Sequence, residues 1–287
     1  MKTEKEMYDL ILGFAKTNPL IRAVGLNGSR AYGEGRTDIF SDFDIVYLVT
    51  DLDPFVRDDS WVKSFGEILI LQKPDDMGPK PKLNPSRYAY LAQFKDGNRI
   101  DFTIVQKRKD RKQKSIGVIL LDKDNLYSQT PRTNEGLFLI QKPSEKAFRD
   151  CCNEFWWVSV YAAKGLWRKE ILYATDHLES HIRKKFLKML EWQVGFRNHF
   201  QVSAGKSQKY LLLYLSEKQG SDLMTTYDLS GYDQCWQALF QMMRLFGETA
   251  RDLALKLGYA YVLEEEENVI RHVKHIYELP DDSGEIY

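Results

Sequence analysis

The chain has 287 residues, of which 43% are hydrophobic and 29% are charged, a composition typical of soluble globular proteins. Its 41 basic and 41 acidic side chains give a formal net charge of zero, which argues against a nonspecific nucleic-acid binder. No apolar run approaches the ~20 residues of a membrane-spanning helix, and the charged N-terminal stretch is unlike a secretory signal. We therefore expect two domains of ordinary size in a cytoplasmic enzyme or binding protein with reduced thiols.

The first half of the chain alternates between helix and strand patterns. Apolar residues at helical spacing predict a helix from Glu4 to Thr17, which Asn18-Pro19 ends. The segment 30–38 is predicted to be either a short helix or an ordered loop. The predicted strands are Leu20–Asn27, Phe43–Thr50, Phe65–Gln72, Arg87–Phe94, Arg99–Val105 and Gly117–Leu121.

The second half of the chain, after Pro143, is predicted to be helical. Ser144 is a good first residue for a helix. The predicted helical runs are Ala147–Trp167, Leu172–Phe200 with a break near Gly195, Lys209–Glu217, Cys235–Leu257 and Glu265–Tyr277. The sequence thus predicts an α+β fold, with a mixed-sheet domain over residues 1–142 and a helical domain over residues 143–287.

Three acidic residues stand in strands that otherwise have an apolar, buried character. Asp42 and Asp44 alternate at the start of one strand and therefore share one face, and Asp101 is a lone acid in a later strand. A buried carboxylate is costly unless it is paired, hydrogen-bonded or bound to a metal. If the two strands are neighbours, the three carboxylates converge and repel one another unless a cation lies between them. Mg²⁺ prefers such ligands together with substrate phosphates, and two ions can serve a phosphoryl displacement.

A glycine-serine turn precedes the acids by about a dozen residues. Gly28 lets the backbone come close to a triphosphate, and the following amides and the Ser29 hydroxyl can bind phosphate oxygens. Arg30 can add a charged contact or pair with a surface acid. The combined chemistry is attack by a hydroxyl group on a nucleoside triphosphate, with pyrophosphate as the leaving group.

The turn and the three acids together resemble the nucleotidyltransferase superfamily of DNA polymerase β type. More narrowly, the chain resembles the bacterial aminoglycoside 6-adenylyltransferases, or streptomycin adenylyltransferases, over essentially its whole length. The segments that carry this resemblance are Leu26–Ala31, Ser41–Ile45 and Lys188–Trp192. The resemblance implies ATP as cosubstrate, Mg²⁺ as cofactor with two ions, AMP transfer to the 6-hydroxyl of streptomycin, and antibiotic resistance.

The resemblance also implies roles for individual residues. Asp42 and Asp44 would bind both metal ions, and Asp101 would complete the catalytic metal site and help to deprotonate the acceptor hydroxyl. The β- and γ-phosphates would be held by Gly28, Ser29 and Arg30.

No motif fixes the acceptor site. Streptomycin carries two guanidinium groups, which carboxylates and aromatic faces bind well. The candidates in the helical half are Asp176, Glu179, Glu191, Trp156, Trp157 and Tyr173. Core packing is the commoner role for the two tryptophans. Farther along, the acidic run Glu264–Glu267 is expected to be a solvated face at a helix start.

Two other functions stay open at this point: transfer of a nucleotide to a protein or an RNA end, and a non-catalytic nucleotide-binding module. The even charge and the lack of an aromatic-basic stripe weigh against RNA, and three intact acids weigh against a non-catalytic module. The expected partners are small molecules, namely ATP and a cationic aminoglycoside, with neither nucleic acid nor a membrane. The oligomeric state is left open.

Overall fold

The structure is a computed structural model that describes residues 1–31, 37–78, 86–107, 115–127 and 139–287. The chain divides into two compact units, Met1–Asn134 and Glu135–Tyr287. The first unit contains a six-stranded mixed sheet, and the second is built from helices. The predicted α+β class is therefore confirmed.

The sheet of the first unit has the strand order β3-β4-β5-β2-β1-β6. Strands β2 and β5 are parallel, and every other neighbouring pair is antiparallel. The strands are β1 (Ile21–Asn27), β2 (Phe43–Val49), β3 (Ile68–Gln72), β4 (Arg87–Phe94), β5 (Arg99–Gln106) and β6 (Val118–Asp122). Each corresponds to a predicted strand, and the largest difference is at β3, which begins at Ile68 rather than Phe65.

Three α-helices of the first unit are described: α1 (Glu4–Thr17), α2 (Gly28–Ala31) and α3 (Asp53–Arg57). Helix α1 has the predicted bounds because Thr3 and Glu6 form a capping box at its start. Of the segment 30–38, residues 32–36 lie outside the described residues. Helix α2 follows β1 without a gap and places the glycine-serine turn at the end of that strand.

Residues of β2 alternate between the two faces of the sheet. Ile45 and Tyr47 lie in the larger core, which includes α1, and the Tyr47 hydroxyl donates a 3.0 Å hydrogen bond to the carbonyl of Ile11. Val46 belongs to a smaller core on the opposite face. By the same alternation Asp44 points to the face of Val46, so it is not forced into the main core.

The second unit has a single large core between its helices. Helix α4 packs against α5, α8 and α9. It begins where predicted because the Ser144 hydroxyl accepts a 3.1 Å hydrogen bond from the amide of Ala147. The helices are α4 (Glu145–Trp167), α5 (Ile171–His177), α6 (Arg183–Arg197), α7 (Glu217–Thr225), α8 (Tyr232–Leu257) and α9 (Leu263–Glu278). Within the described ranges, none of the helices is both long enough and apolar enough to cross a bilayer.

Two predicted helical runs differ from the structure. The run Leu172–Phe200 is not broken at Gly195; instead a π-helical turn, Leu178–Ile182, separates α5 from α6. Gly195 lies inside α6, where a Cβ would come within 2.6 Å of the Ile140 side chain, so the glycine serves close packing. The run Lys209–Glu217 is not one helix either: it contains a short 3-10 turn, Leu211–Tyr214, and Ser216 caps α7, which begins at Glu217.

The acidic start of α9 also differs from the expected solvated face. Glu264, Glu265 and Glu267 are exposed, whereas Glu266 is buried. The Glu266 carboxylate accepts hydrogen bonds from the Arg251 guanidinium and, at 2.8 Å, from the Tyr261 hydroxyl. This compensation makes its burial tolerable.

Candidate active site

Asp44 and Asp101 face each other across the parallel pair of β2 and β5. They are register partners, so both side chains leave the sheet on the same face. Asp42 immediately precedes β2, and its carboxylate is linked to this pair through Arg99, whose Nε lies 3.4 Å from Asp42 Oδ2. The side chains of Asp42 and Asp101 are 32% and 20% exposed, respectively, so both are accessible to a small ligand. The structure therefore brings the three predicted acids together at one end of two adjacent strands.

Arg99, which is not among the predicted site residues, joins this acidic group. Its Nε and Nη2 atoms each donate a 2.8 Å hydrogen bond to one oxygen of Asp101. Its Nε atom also lies 3.4 Å from a carboxylate oxygen of Asp42. The hydrogen bonds with Asp101 raise the pKa of Arg99, and the charges of Asp42 and Asp44 add to this. The available signal was a basic residue two positions before Asp101, and thus on the same face of the strand.

The three carboxylates are not already arranged as a metal-binding site. In the part of the chain that the structure describes, no group of three or more His, Cys, Asp or Glu side chains is arranged to hold a metal ion. Both oxygens of Asp101 instead accept hydrogen bonds from Arg99. The chemistry of the donor set nevertheless fits Mg²⁺, since carboxylates on one face already hold a cationic group between them.

Gly28 lies directly against the Asp44 carboxylate. Its φ is +67°, a conformation that favours glycine, and a Cβ added there would lie 1.8 Å from Oδ2 of Asp44. The preceding residue, Asn27, is the register partner of Asp44 across β1 and β2. Ser29 follows and is exposed. The glycine-serine turn therefore lies beside Asp44, at the same end of the sheet as the acids.

Arg30 contacts the segment that leads into β2. Its guanidinium donates hydrogen bonds to the backbone carbonyls of Ser41 (2.9 Å) and Asp42 (3.2 Å). It lies 4.1 Å from the centre of the Phe43 ring, and it pairs with Glu4 at 3.3 Å. Only 7% of the side chain is exposed. These contacts hold the backbone of Asp42 in place, whereas the predicted phosphate contact of Arg30 stays a prediction.

The helical unit carries a connected set of aromatic rings on its surface. Trp157 is 61% exposed, and its indole nitrogen donates a 2.9 Å hydrogen bond to the hydroxyl of Tyr161. The Tyr161 ring lies 5.8 Å from that of His177, which lies 4.1 Å from that of Tyr173 and 5.6 Å from that of His181. We call these five residues the aromatic strip.

The three acidic acceptor candidates have different surroundings. Asp176 is exposed and accepts a 2.9 Å hydrogen bond from the Ser180 hydroxyl. Glu179 is paired with Arg183 at 2.7 Å. Glu191 accepts hydrogen bonds from Lys188 (3.0 Å) and Gln208 (3.1 Å), and its side chain is only 13% exposed. Asp176 also adjoins the aromatic strip in sequence, since it precedes His177.

The adjacent tryptophans have opposite environments. Trp156 is 2% exposed, and its indole nitrogen donates a 3.2 Å hydrogen bond to the hydroxyl of Tyr261. Its ring packs edge-on against Phe155 and Phe246. Trp156 therefore belongs to the core of the helical unit, whereas Trp157 lies on its surface.

Comparison with known proteins gives matches along almost the whole chain. A family model described as streptomycin adenylyltransferase matches residues 1–276. An aminoglycoside 6-adenylyltransferase from Campylobacter jejuni is 40% identical over 288 residues, with 99% of this chain and 100% of the relative covered. One from Bacillus subtilis (strain 168) is 37% identical over 281 residues, with 96% and 99% covered. A crystal structure of an aminoglycoside 6-adenyltransferase from Bacillus subtilis matches at 35% identity and a TM-score of 0.49, covering 97% of this chain and 100% of that one.

Proposed function

The chain belongs to the streptomycin adenylyltransferase family, and we propose that it transfers AMP from ATP to a hydroxyl group of an aminoglycoside. We take the 6-hydroxyl of streptomycin as the acceptor, since the family description names streptomycin and the relatives are named 6-adenylyltransferases. Such a modification would give resistance to the drug. Relatives with these names do not favour a protein or RNA acceptor.

The observation that carries the proposal is the register pairing of Asp44 with Asp101, with Asp42 linked to Asp101 through Arg99. These three acids would hold Mg²⁺, and we propose two ions. When bound, Mg²⁺ supplies positive charge that offsets the charge of the triphosphate and of the reacting oxygens. Gly28 and Ser29, which adjoin Asp44, would hold the β- and γ-phosphates.

In the proposed reaction, the acceptor oxygen forms a bond to the α-phosphorus of ATP. The bond between that phosphorus and the bridging oxygen of the β-phosphate breaks, and its electron pair leaves with pyrophosphate. The hydroxyl proton passes to a carboxylate, for which Asp101 is our candidate because it shares the face of Asp44.

For the acceptor, we propose the aromatic strip together with Asp176. Exposed aromatic faces and a carboxylate suit the guanidinium groups of streptomycin, through stacking and charged hydrogen bonds. Trp156 is left out of this proposal because it is buried. Glu179 and Glu191 are less suitable because each already has a basic partner.

We propose the cytoplasm as the location of the protein. Its three cysteines, Cys151, Cys152 and Cys235, are free and buried, as is usual in a reducing compartment. Burial raises the pKa of the Cys151 thiol to about 12, so it is not suited to act as a nucleophile at neutral pH.

The test is mass spectrometry of streptomycin and kanamycin after separate incubation with the protein, ATP and Mg²⁺. We expect the mass of one AMP moiety to be added to streptomycin and nothing to kanamycin. Addition to both drugs would keep adenylyl transfer and reject selectivity for streptomycin, and addition to kanamycin alone would reject streptomycin as the acceptor. Addition to neither would contradict the proposed function.

A further inference from the structure

We infer that Arg99 is a displaceable counter-cation of the acidic site: its guanidinium holds Asp101 and Asp42 until a divalent metal ion takes its place. The inference rests on the proposed function, because it takes these acids to be metal ligands. It assigns to Arg99 the role of a positioning residue that sets the metal affinity of the site.

The geometry shows that Arg99 engages the oxygens a metal ion would need. Both Asp101 oxygens accept 2.8 Å hydrogen bonds from the guanidinium, in the fork arrangement that makes such pairs specific. The 3.4 Å approach of Nε to Asp42 extends the contact to a second acid. A metal ion bound by Asp101 and Asp42 must therefore compete with Arg99 for the same atoms.

The charge of Arg99 balances part of the acidic cluster. Carboxylates that share one face repel one another unless a cation lies between them. The guanidinium of Arg99, in contact with both Asp101 and Asp42, supplies such a cation. Exchange of one cation for another leaves the acids compensated in both states.

The position of Arg99 allows it to leave. It is the first residue of β5, directly after the β4–β5 turn, and its side chain is 39% exposed. A half-exposed arginine at a strand end can turn towards water without disturbing the core, because its charged group is hydrated there. Release therefore requires a change of side-chain rotamer and no rearrangement of the sheet.

The experiment measures binding of Mn²⁺ alone by electron paramagnetic resonance, at fixed ionic strength and without nucleotide. The variants are Arg99→Met, which removes the charge and keeps the side-chain length, and Arg99→Lys, which keeps the charge and removes the fork. We expect Arg99→Met to bind Mn²⁺ about fivefold or more tightly than the wild type, with Arg99→Lys between them. Equal or weaker binding by Arg99→Met would overturn the inference.

The matched control is Arg22→Met. Arg22 forms an ion pair with Asp124 through Nε at 3.1 Å, in the same unit and with similar exposure, but away from the three acids. We expect this variant to bind Mn²⁺ like the wild type. If it binds as tightly as Arg99→Met, the effect is one of overall charge, and the inference is wrong.

Failure of the underlying proposal gives a different result. If the acids bind metal, Asp42→Asn and Asp44→Asn will weaken Mn²⁺ binding in both the wild-type and the Arg99→Met backgrounds. If neither substitution changes the Mn²⁺ affinity, the metal site itself is rejected, and the role of Arg99 is rejected with it. Binding that depends on the acids but not on Arg99 would overturn the present inference alone.

Discussion

Asp44 and Asp101 are register partners on two parallel strands, although they lie far apart in the chain. Since β2 and β5 are central strands of the sheet, the position of the pair is fixed by pairing on both sides. The glycine-serine turn, which follows β1, lies at the same end of the sheet. This arrangement places every element of the proposed triphosphate site on the first unit.

The Gly28→Ala substitution should impair both stability and transfer. The positive φ alone costs roughly 1–2 kcal/mol for a non-glycine residue, and the added Cβ would collide with Asp44. Urea unfolding and the rate of AMP transfer measure the two effects.

Gly13→Ala is the matched control. Gly13 lies within α1, and a Cβ there would have nothing within 4 Å. Alanine should therefore stabilise this helix by up to about 1 kcal/mol and leave transfer unchanged. A Gly28→Ala protein as active as Gly13→Ala would show that the contact with Asp44 is unimportant.

The Arg30→Lys substitution separates a positioning role from a phosphate role. Lysine cannot reproduce the two hydrogen bonds to the carbonyls of Ser41 and Asp42, so we expect a loss of about 1–3 kcal/mol in unfolding free energy and slower transfer. A role confined to phosphate would instead raise the KM for ATP at unchanged stability. Glu4→Gln serves as control, because Glu4 is 58% exposed and its ion pair with Arg30 should contribute less than about 1 kcal/mol.

The two adjacent tryptophans should respond in opposite ways to alanine substitution. Trp156→Ala removes a core ring and should cost about 3–5 kcal/mol of stability. Trp157→Ala removes an exposed ring, so stability should hardly change while the KM for streptomycin rises. Thermal unfolding and steady-state kinetics test the pair. An unchanged KM in Trp157→Ala would exclude this residue from the acceptor site.

Acid should remove a stabilising contribution from Asp124. Hydrogen bonds from Arg22 and Lys107 hold the pKa of Asp124 below its usual value. Because the pKa of Asp124 is lower in the folded state than in the unfolded state, its ionisation stabilises the folded protein above the unfolded-state pKa of about 4. This contribution decreases as the pH falls towards the folded-state pKa. The Tm difference between wild type and Asp124→Asn should therefore shrink from neutral pH to about pH 3 in calorimetric scans. A constant difference would contradict the assignment.

The strands, and the acidic residues that stand out within them, could be predicted from the local pattern of apolar and polar residues. Period-two alternation separates Asp44 from its core-facing neighbour Ile45, and a lone acid in an apolar strand draws attention to Asp101. These signals need only the geometry of an extended chain. The parallel pairing that makes the two acids neighbours could be stated only as a condition, because strand order depends on contacts distant in sequence.

Other features depend on tertiary contacts that a single sequence does not display. Arg30 and Arg99 have the same charge, yet Arg30 binds two backbone carbonyls besides the Glu4 carboxylate, whereas Arg99 binds the carboxylates of Asp101 and Asp42. Glu266 is buried because Arg251, from another helix, compensates it. The different environments of the two tryptophans could be predicted from helix geometry, because neighbouring positions on a helix point about 100° apart. Trp156 belongs to the buried face of α4, and Trp157 does not.

We propose that Asp44 and Asp101 act together in AMP transfer. The rate of AMP transfer to streptomycin by Asp44→Asn and Asp101→Asn tests this, with ATP and Mg²⁺ saturating and circular dichroism confirming the fold. Asp9→Asn, on the exposed side of α1, is the control. We predict a loss of about 10²-fold or more in each of the two site variants and none in the control. Near-normal transfer by either site variant would contradict the account.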